Sequence, residues 1–346
     1  MEDSTPVVDV QGLHVGYRTA SGPARALLDI DMTIQPNERV GLVGESGCGK
    51  STLLKTIMGV LPPNGEVTEG RIFLGDDDLL EMSEEARRKT RWAEISMITQ
   101  SALNALNPVK RIDAQILEAV RAHRRVSKAD GKALVARLFE MVGVSPDRAH
   151  DYPFQFSGGM RQRAVIAMAL ALSPRLIVAD EPTTALDVIV QDQIFTRLRK
   201  LQDERGFAMI LVTHDIALVV ENCQRICVMY AGMIVETGQT QDIVNKPRHP
   251  YTIGLLNAVS VLGSTREPIA IPGSPPNLFE KLGGCRFAPR CPLATQLCHT
   301  QVPPRVDLEN DRVVRCHHWE KADDFAAKAS SAETWAQAPA AQLENP

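Results

Sequence analysis

The chain of 346 residues contains no long hydrophobic run. The longest run, residues 164–172, has nine residues, whereas a helix needs roughly 18 apolar residues to cross a bilayer. The N-terminus, Met-Glu-Asp-Ser, is acidic and lacks the positively charged and then apolar order of a signal peptide. We therefore expect a cytosolic chain, with any membrane attachment made through a partner.

Neither sign of charge is in large excess. The chain has 38 Lys and Arg residues against 42 Asp and Glu residues, which gives a net charge of −4. A protein that binds nucleic acid through a strong overall positive field has the opposite balance. The composition therefore argues against nucleic acid as a partner.

What the chain does contain is a glycine-rich stretch at residues 44–52, Gly-Glu-Ser-Gly-Cys-Gly-Lys-Ser-Thr. It matches the phosphate-loop pattern Gly-x-x-x-x-Gly-Lys-Ser/Thr at each fixed position, between a predicted buried strand (39–43) and a predicted helix (53–57). Glycines allow close approach to a phosphate, and the N–H groups at a helix N-terminus attract it. The alternative is a glycine-rich turn that matches by chance. The nucleotide-binding residues predicted here are Gly44, Glu45, Ser46, Gly47, Cys48, Gly49, Lys50, Ser51 and Thr52, with Lys50 on the outer phosphates and Ser51 on Mg²⁺.

A second motif, Phe-Ser-Gly-Gly-Met-Arg-Gln at residues 156–162, separates the classes of phosphate-loop protein. It resembles the Leu-Ser-Gly-Gly-Gln signature of the nucleotide-binding subunits of ABC transporters, with Phe156 and Met160 as mild departures. A phosphate-loop GTPase or a small-molecule kinase does not explain this motif. The resemblance continues in the family's order through the Walker B strand with its following Glu (176–181), the D-loop (185–187) and the switch histidine His214.

The resemblance implies a role for each matching residue. Asp180 would hold Mg²⁺, Glu181 would polarise the attacking water, and His214 would contact the γ-phosphate. Gln100 would be the Q-loop residue that ligates Mg²⁺ or positions the water, and Tyr17 would stack on adenine. Tyr17 and His214, each taken alone, are also compatible with ordinary packed side chains. The remaining nucleotide-binding residues are Ser157, Gly158, Gly159 and Asp187, because in the family each signature covers the ATP held by the other subunit.

We expect an α/β fold, a P-loop NTPase core of the ABC type with three additions. Short apolar runs at residues 7–35 predict an N-terminal antiparallel β subdomain. Helical spacing of apolar residues predicts an inserted helical subdomain at about 101–170, where the family docks on its membrane partner. The nucleotide-binding domain would span 1–240, and a C-terminal cysteine-containing extension 241–320. An Ala-, Ser- and Glu-rich tail, 321–346, is expected to be disordered.

Four of the seven cysteines lie in the extension, with the spacing Cys-x5-Cys-x6-Cys-x17-Cys: Cys285, Cys291, Cys298 and Cys316. In a reducing compartment such a group is more typical of metal binding than of disulfides. Four thiolates suit Zn²⁺ or a [4Fe–4S] cluster, and unligated structural cysteines are the third alternative. The wide spacing, and the clusters held by family members, favour a [4Fe–4S] cluster. His299, His317 and His318 lie close enough in sequence to substitute in a zinc site.

The segment His-Pro-Tyr-Thr at residues 249–252 and the extension narrow the resemblance to ATPase subunits of oligopeptide/dipeptide importers, over residues 7 to about 318. The resemblance implies a subunit that uses ATP and Mg²⁺ at the cytoplasmic face of the cell membrane. Its partners would be a second ATPase subunit (itself or a paralogue), two transmembrane permease subunits and, indirectly, an extracytoplasmic solute-binding protein. The same architecture imports nickel or oligosaccharides. An ABC ATPase acting on DNA or ribosomes is disfavoured. Such proteins have long coiled coils between the two Walker motifs or two fused cassettes, whereas this chain has one set of motifs with a compact insertion.

Overall fold

The computed structural model describes residues 5–20, 22–100, 105–183, 186–258, 268–278 and 283–338. The described strands are β1 (Val8–Thr19), β2 (Gly22–Ile34), β3 (Arg39–Val43), β4 (Gly65–Leu74), β5 (Asp77–Asp78), β6 (Ile95–Ile98), β7 (Leu176–Asp180), β8 (Ala208–Val212), β9 (Arg225–Tyr230), β10 (Met233–Gln239), β11 (Val306–Leu308) and β12 (Arg312–Val314). The chain divides into two compact units, one of residues 1–8, 33–39 and 73–212, the other of residues 9–32, 40–72 and 213–346.

The α-helices of the described residues range from four to 18 residues in length. They are α1 (Lys50–Ile57), α2 (Glu84–Thr90), α3 (Ile112–Arg121), α4 (Lys128–Val142), α5 (Gly158–Ala169), α6 (Val188–Arg205), α7 (Ile216–Asn222), α8 (Thr240–Asn245), α9 (Pro250–Asn257), α10 (Gln296–Thr300), α11 (Ala322–Lys328) and α12 (Ala332–Trp335). Short 3₁₀ turns lie at Pro146–His150, Pro153–Gln155, Ala288–Arg290 and Trp319–Lys321. Within the described ranges, no helix is both long enough and apolar enough to span a bilayer.

The first unit is built on three parallel strands in the order β8-β7-β6. Leu176 of β7 lies opposite Ile95 of β6 and Ala208 of β8. The four apolar residues of β7 are fully buried, as expected for a central parallel strand covered on both faces. Because the strands are parallel, Asp180 and the residues that follow β6 emerge at the same edge of this sheet.

Helices α3, α4 and α5 fill the region in which the sequence predicts a helical subdomain, of which residues 101–104 lie outside the described part. Ser127 caps the N-terminus of α4, where its hydroxyl accepts a hydrogen bond from the Asp130 N–H, and Gly143, with φ 73°, caps the C-terminus. The Arg163 side chain of α5 donates to the Val142 carbonyl at the end of α4 (2.8 Å). Local capping signals therefore set the ends of α4, and a side-chain bond joins it to α5.

The second unit contains a sheet in the order β3-β9-β10-β12-β11 and a second group in the order β2-β1-β4. Strands β3 and β9 are parallel, whereas β9, β10, β12 and β11 pair antiparallel in succession. Glu236 of β10 lies opposite Val314 of β12. The extension therefore adds two strands to the sheet of its own unit.

Apolar side chains of the extension pack against β9 of the same unit. Phe287 is 2% exposed, and its ring lies 5.2 Å from that of Tyr230 and 5.5 Å from that of Tyr251.

Residues 322–335, which the sequence analysis expects to be disordered, form helices α11 and α12 instead. The buried Trp335 packs on Phe325 at 5.4 Å and donates to the Ala329 carbonyl. Two aromatic side chains thus supply the apolar burial that the tail's overall composition does not indicate; residues 339–346 lie outside the described part.

Candidate active site

The phosphate-loop residues connect β3 to α1 in the second unit, as the sequence predicts. Gly47 has φ 77° and Gly49, which caps α1, has φ 110°; residues other than glycine rarely adopt these backbone angles. A Cβ at Gly44 would overlap the carbonyl oxygen of Met229. The glycines therefore permit a tight turn against β9, and they leave Ser46 and Gly47 exposed. Such a loop at a helix N-terminus fits a nucleotide phosphate chain.

The Lys50 side chain lies over this loop. Its ammonium donates to the carbonyl oxygens of Gly44 (2.7 Å) and Glu45 (2.9 Å), and it lies 3.6 Å from the Cys48 sulfur. Cys48 is buried, and desolvation raises the pKa of its thiol. Since the Cys48 thiol is neutral, Lys50 is the cationic side chain of the loop that is available to a phosphate.

Ser51 and Thr52 occupy the first turn of α1. The Ser51 side chain is exposed, so its hydroxyl is accessible to a metal ion, and Mg²⁺ prefers oxygen ligands. The Thr52 hydroxyl lies 3.1 Å from the Tyr17 hydroxyl of β1. Tyr17 therefore lies beside the phosphate loop, and its stacking on adenine stays a prediction. His214 follows β8 in the chain and is exposed, and Asp215 beside it caps α7 by accepting from the Ala217 N–H (2.9 Å).

In the first unit, Gln100 and Glu181 come together at the carboxyl edge of the parallel sheet. The Gln100 amide donates to a Glu181 carboxylate oxygen at 2.7 Å. Glu181 has φ 45°, a left-handed conformation that is uncommon for a residue with a side chain and that concentrates at functional sites. The Glu181 N–H donates to the Val212 carbonyl (2.8 Å), which holds this conformation. Asp180 is half-buried at the end of β7, where its carboxylate is the kind of ligand that suits Mg²⁺.

The signature and the D-loop lie against each other in the same unit. Ser157 caps α5 by accepting from the Met160 N–H (3.3 Å), and Asp187 caps α6 by accepting from the Val190 N–H (2.9 Å). A Cβ at Gly159 would lie 2.8 Å from a Val190 methyl carbon, so only glycine permits this approach of α5 to α6. Ser157 and Asp187 are both exposed; Ala185 lies outside the described residues.

The sequence analysis missed the residues that surround Glu45. Arg290 of the extension forms a bidentate ion pair with the Glu45 carboxylate (2.7 and 3.1 Å). The Tyr251 hydroxyl accepts a hydrogen bond from the Glu45 N–H (2.9 Å). Tyr251 belongs to the His-Pro-Tyr-Thr segment, which the sequence analysis uses as a subgroup marker and not as part of a site. That segment is the sequence signal that could have found this contact.

The predicted [4Fe–4S] cluster, with Zn²⁺ as its alternative, is wrong. Among the described residues, which include all four cysteines of the extension, no three His, Cys, Asp or Glu side chains are grouped to hold a metal ion. Burial raises the pKa of Cys285 to about 11 and of Cys316 to about 12, and it raises the pKa of Cys291 strongly. Burial therefore keeps these three thiols protonated at neutral pH. The side chains of His317 and His318 bond instead to the Gln301 carbonyl (2.9 Å) and the Thr295 hydroxyl (3.0 Å).

Comparison with known proteins agrees with these motifs. The sequence model described as "ABC transporter" matches residues 27–184, and the one described as "Oligopeptide/dipeptide transporter, C-terminal region" matches residues 235–298. The Dipeptide transport ATP-binding protein DppD of Bacillus subtilis is 41% identical over 332 residues, which cover 94% of this chain and 99% of that protein. The Oligopeptide transport ATP-binding protein OppD of Escherichia coli is 41% identical over 318 residues, 91% of this chain and 94% of that protein.

A solved structure agrees with the fold. A dimeric ATP-binding cassette in a post-hydrolysis state, bound to ADP and Pi, matches with a TM-score of 0.60 and 28% identity. The match covers 67% of this chain and 98% of that one. The likeness therefore spans nearly the whole of the cassette and leaves about a third of the present chain outside it.

Proposed function

Because the chain belongs to the ABC transporter family, as an ATP-binding subunit of the peptide importer type, we propose that its phosphate loop binds Mg-ATP and that hydrolysis drives peptide uptake through separate transmembrane subunits. The observation that carries this proposal is the turn at residues 44–49, with Lys50 lying across it. Peptides are the preferred solute, because the names of relatives that match most of the chain give dipeptide and oligopeptide transport. Nickel and oligosaccharides stay as alternative solutes.

Nucleotide binding is assigned to residues of the phosphate loop and to Asp180. Lys50 exchanges its carbonyl partners for phosphate oxygens, and the loop's N–H groups bind the same anion. On the phosphate loop, the Ser51 hydroxyl would be a Mg²⁺ ligand; in the first unit, the Asp180 carboxylate and Gln100 are assigned the same role. The metal would supply neutralisation of charge on the phosphates. Tyr17 supplies an aromatic face for the base.

Hydrolysis is assigned to Glu181, Gln100 and His214. Glu181 accepts a hydrogen bond from the attacking water and so orients it. The Gln100 amide, already bonded to Glu181, fixes the direction of that carboxylate. His214 is exposed and donates from its ring to the γ-phosphate. These side chains act by positioning and by charge, which is how most of the barrier to phosphoryl transfer is lowered.

The signature is assigned to the nucleotide of a second subunit, in a head-to-tail dimer with this chain or a paralogue. Ser157, Gly158 and Gly159 form a second helix N-terminus suited to an anion, on the exposed surface of the first unit. Beside Asp187, the apolar side chains of Val188 and Ile189 are 78% and 71% exposed. Exposed apolar residues next to an anion-binding loop support contact with a partner at this surface.

Two transmembrane permease subunits are assigned to the helical region between β6 and β7, at the cytoplasmic face of the membrane. Val109 before α3 and Phe154 before α5 are 79% and 70% exposed. Large apolar side chains left in water at two places in this region support a protein contact there. An extracytoplasmic solute-binding protein would act through the permeases.

Uptake by intact cells tests the proposed function. Cells that lack this chain are complemented with the wild type or with Lys50→Ala and are given labelled dipeptide, oligopeptide, Ni²⁺ or oligosaccharide. We expect the wild type alone to restore peptide uptake, since Lys50→Ala loses the ammonium that contacts phosphate. Restoration of Ni²⁺ or oligosaccharide uptake without peptide uptake would overturn the choice of solute. Equal complementation by both forms would overturn the role of the phosphate loop.

A further inference from the structure

The Arg290 side chain is 4% exposed, and its guanidinium is held in position by several hydrogen bonds. Besides its two bonds to Glu45, it donates to the carbonyls of Pro272 (2.8 Å) and Ile271 (3.2 Å) and to the Tyr230 hydroxyl (3.3 Å). A bidentate guanidinium–carboxylate pair fixes the orientation of both groups. Arg290 therefore joins residues 271–272 of the extension and Tyr230 of β9 to one residue of the phosphate loop, Glu45.

Glu45 is connected to Lys50 through its backbone. Its carbonyl accepts from the Lys50 ammonium (2.9 Å), its N–H donates to Tyr251, and its carboxylate pairs with Arg290. Each polar group of Glu45 thus has a partner, and two of the three partners come from residues beyond 240. Any shift of Arg290 or Tyr251 acts on the segment that also binds Lys50.

Charge gives a second reason for the contact to matter. Glu45 is an anion within a loop whose function is to bind a polyanion, so its unpaired carboxylate would oppose nucleotide binding. Arg290 neutralises that charge from the side of the extension. Loss of Arg290 would leave the Glu45 carboxylate, which is 26% exposed, without its cationic partner in a loop that binds a polyanion.

We propose that Arg290 is a positioning residue for the phosphate loop: by neutralising and orienting Glu45, the C-terminal extension sets the affinity of the loop for ATP. The consequence is that nucleotide binding and the folding of the extension around Arg290 are coupled. The coupling is reciprocal, since a contact that favours ATP is itself favoured by ATP. This inference rests on the proposed role of the phosphate loop.

The test compares Arg290→Gln with Arg315→Gln in the full chain within its membrane complex. Arg315 is a matched control, because it is also a nearly buried arginine of the extension and pairs with Asp29 (2.7 Å) and Asp31 (3.5 Å), away from the phosphate loop. We expect Arg290→Gln to raise the Kd and KM for ATP by about tenfold, with kcat changed by less than about threefold, as for loss of a binding contact. Arg315→Gln should leave both constants within about twofold of wild type, although it removes a comparable ion pair.

Two further variants separate positioning from general loss of structure. Arg290→Lys keeps the positive charge but cannot form the bidentate pair, so its Kd for ATP should lie between those of wild type and Arg290→Gln. Glu45→Gln combined with Arg290→Gln leaves no unpaired charge, so ATP affinity should recover to within about threefold of wild type. Equal Kd values for wild type and Arg290→Gln, or equal losses in Arg290→Gln and Arg315→Gln, would overturn the inference. If Lys50→Ala alone abolishes ATP binding in the same preparation, the proposed function stands in either case.

Discussion

The Gln100 amide and the Glu181 carboxylate, 81 positions apart, form a 2.7 Å hydrogen bond. The residues follow two adjacent parallel strands, β6 and β7, so the sheet itself brings them to one edge. Glu181 reaches Gln100 from a left-handed backbone, a conformation that costs roughly 1–3 kcal/mol for a residue with a side chain. Strain retained at this position, with the bond that it permits, supports Glu181 as the residue that orients water.

Glu181→Gln should retain ATP binding and lose hydrolysis by about 10²- to 10⁴-fold, the range that general bases contribute. Glutamine has nearly the same shape and still accepts the Gln100 bond, so the change removes the base with little change in structure. Because ATP is then bound but not cleaved, the ATP-bound dimer should accumulate. Turnover and labelled-ATP binding by the purified complex measure the two effects. Near-normal turnover would remove Glu181 from the mechanism.

Gln100→Ala should lower kcat by about tenfold and raise the Kd for ATP less than kcat falls, because it removes the hydrogen bond that orients the Glu181 carboxylate and keeps the carboxylate itself. Steady-state kinetics with an equilibrium binding measurement separate the two constants. Gln100→Asn is the control that keeps an amide but shortens its reach. A change confined to Kd would mean that Gln100 acts as an Mg²⁺ ligand and not through Glu181.

Ser157→Arg should block the ATP-closed dimer and spare ATP binding to the isolated subunit, since the exposed signature is assigned to the partner's nucleotide. Ser157→Ala is the control, because it removes only the cap on α5, at about 1 kcal/mol. Labelled-ATP binding and size-exclusion chromatography report the two steps. A large loss of affinity in the isolated subunit would place Ser157 at its own nucleotide and contradict the head-to-tail arrangement.

His249 should make the second unit sensitive to acid. It is buried, and desolvation lowers its pKa to about 3, whereas an unfolded histidine titrates near 6.5. The unfolded state therefore binds the proton between pH 6.5 and 3, and stability present above pH 6.5 is lost as the pH falls. The expected loss is about 2 kcal/mol between pH 7 and 5.

His249→Asn removes this titration while keeping an acceptor for the Tyr251 N–H, which His249 caps (3.0 Å). The neighbouring Glu236 has a raised pKa and gives the opposite slope in both proteins, so the difference between them isolates His249. Urea unfolding at several pH values measures it. Parallel curves for wild type and variant would show that His249 is not buried neutral.

The sequence predicted those parts of the site that depend on local motifs. The turn at residues 44–49 requires only glycines at set positions between a strand and a helix, and Ser157 and Asp187 fit the N-cap positions that they occupy. The sequence likewise predicts the Walker B strand, and β7 forms at Leu176–Asp180. In each case, neighbours in sequence determine the conformation.

The sequence could not supply contacts whose partners are far apart. Arg290 and Glu45 are separated by 245 positions, and no local pattern marks one as the partner of the other. The cysteine prediction is wrong for the same reason, because spacing in sequence does not show whether the fold arranges the thiols to hold a metal ion. The tail's average composition does not indicate the burial of Phe325 and Trp335, because that burial depends on how the two rings pack.

The most direct test of the account is ATP hydrolysis by the purified complex of this chain with its permease partners in lipid, with and without peptide-loaded solute-binding protein. The account predicts Mg²⁺-dependent hydrolysis that the loaded binding protein stimulates and that Lys50→Ala abolishes, because the Lys50 ammonium is the charged group lying over the phosphate loop. Hydrolysis that persists in Lys50→Ala, or that peptide does not stimulate, would contradict it.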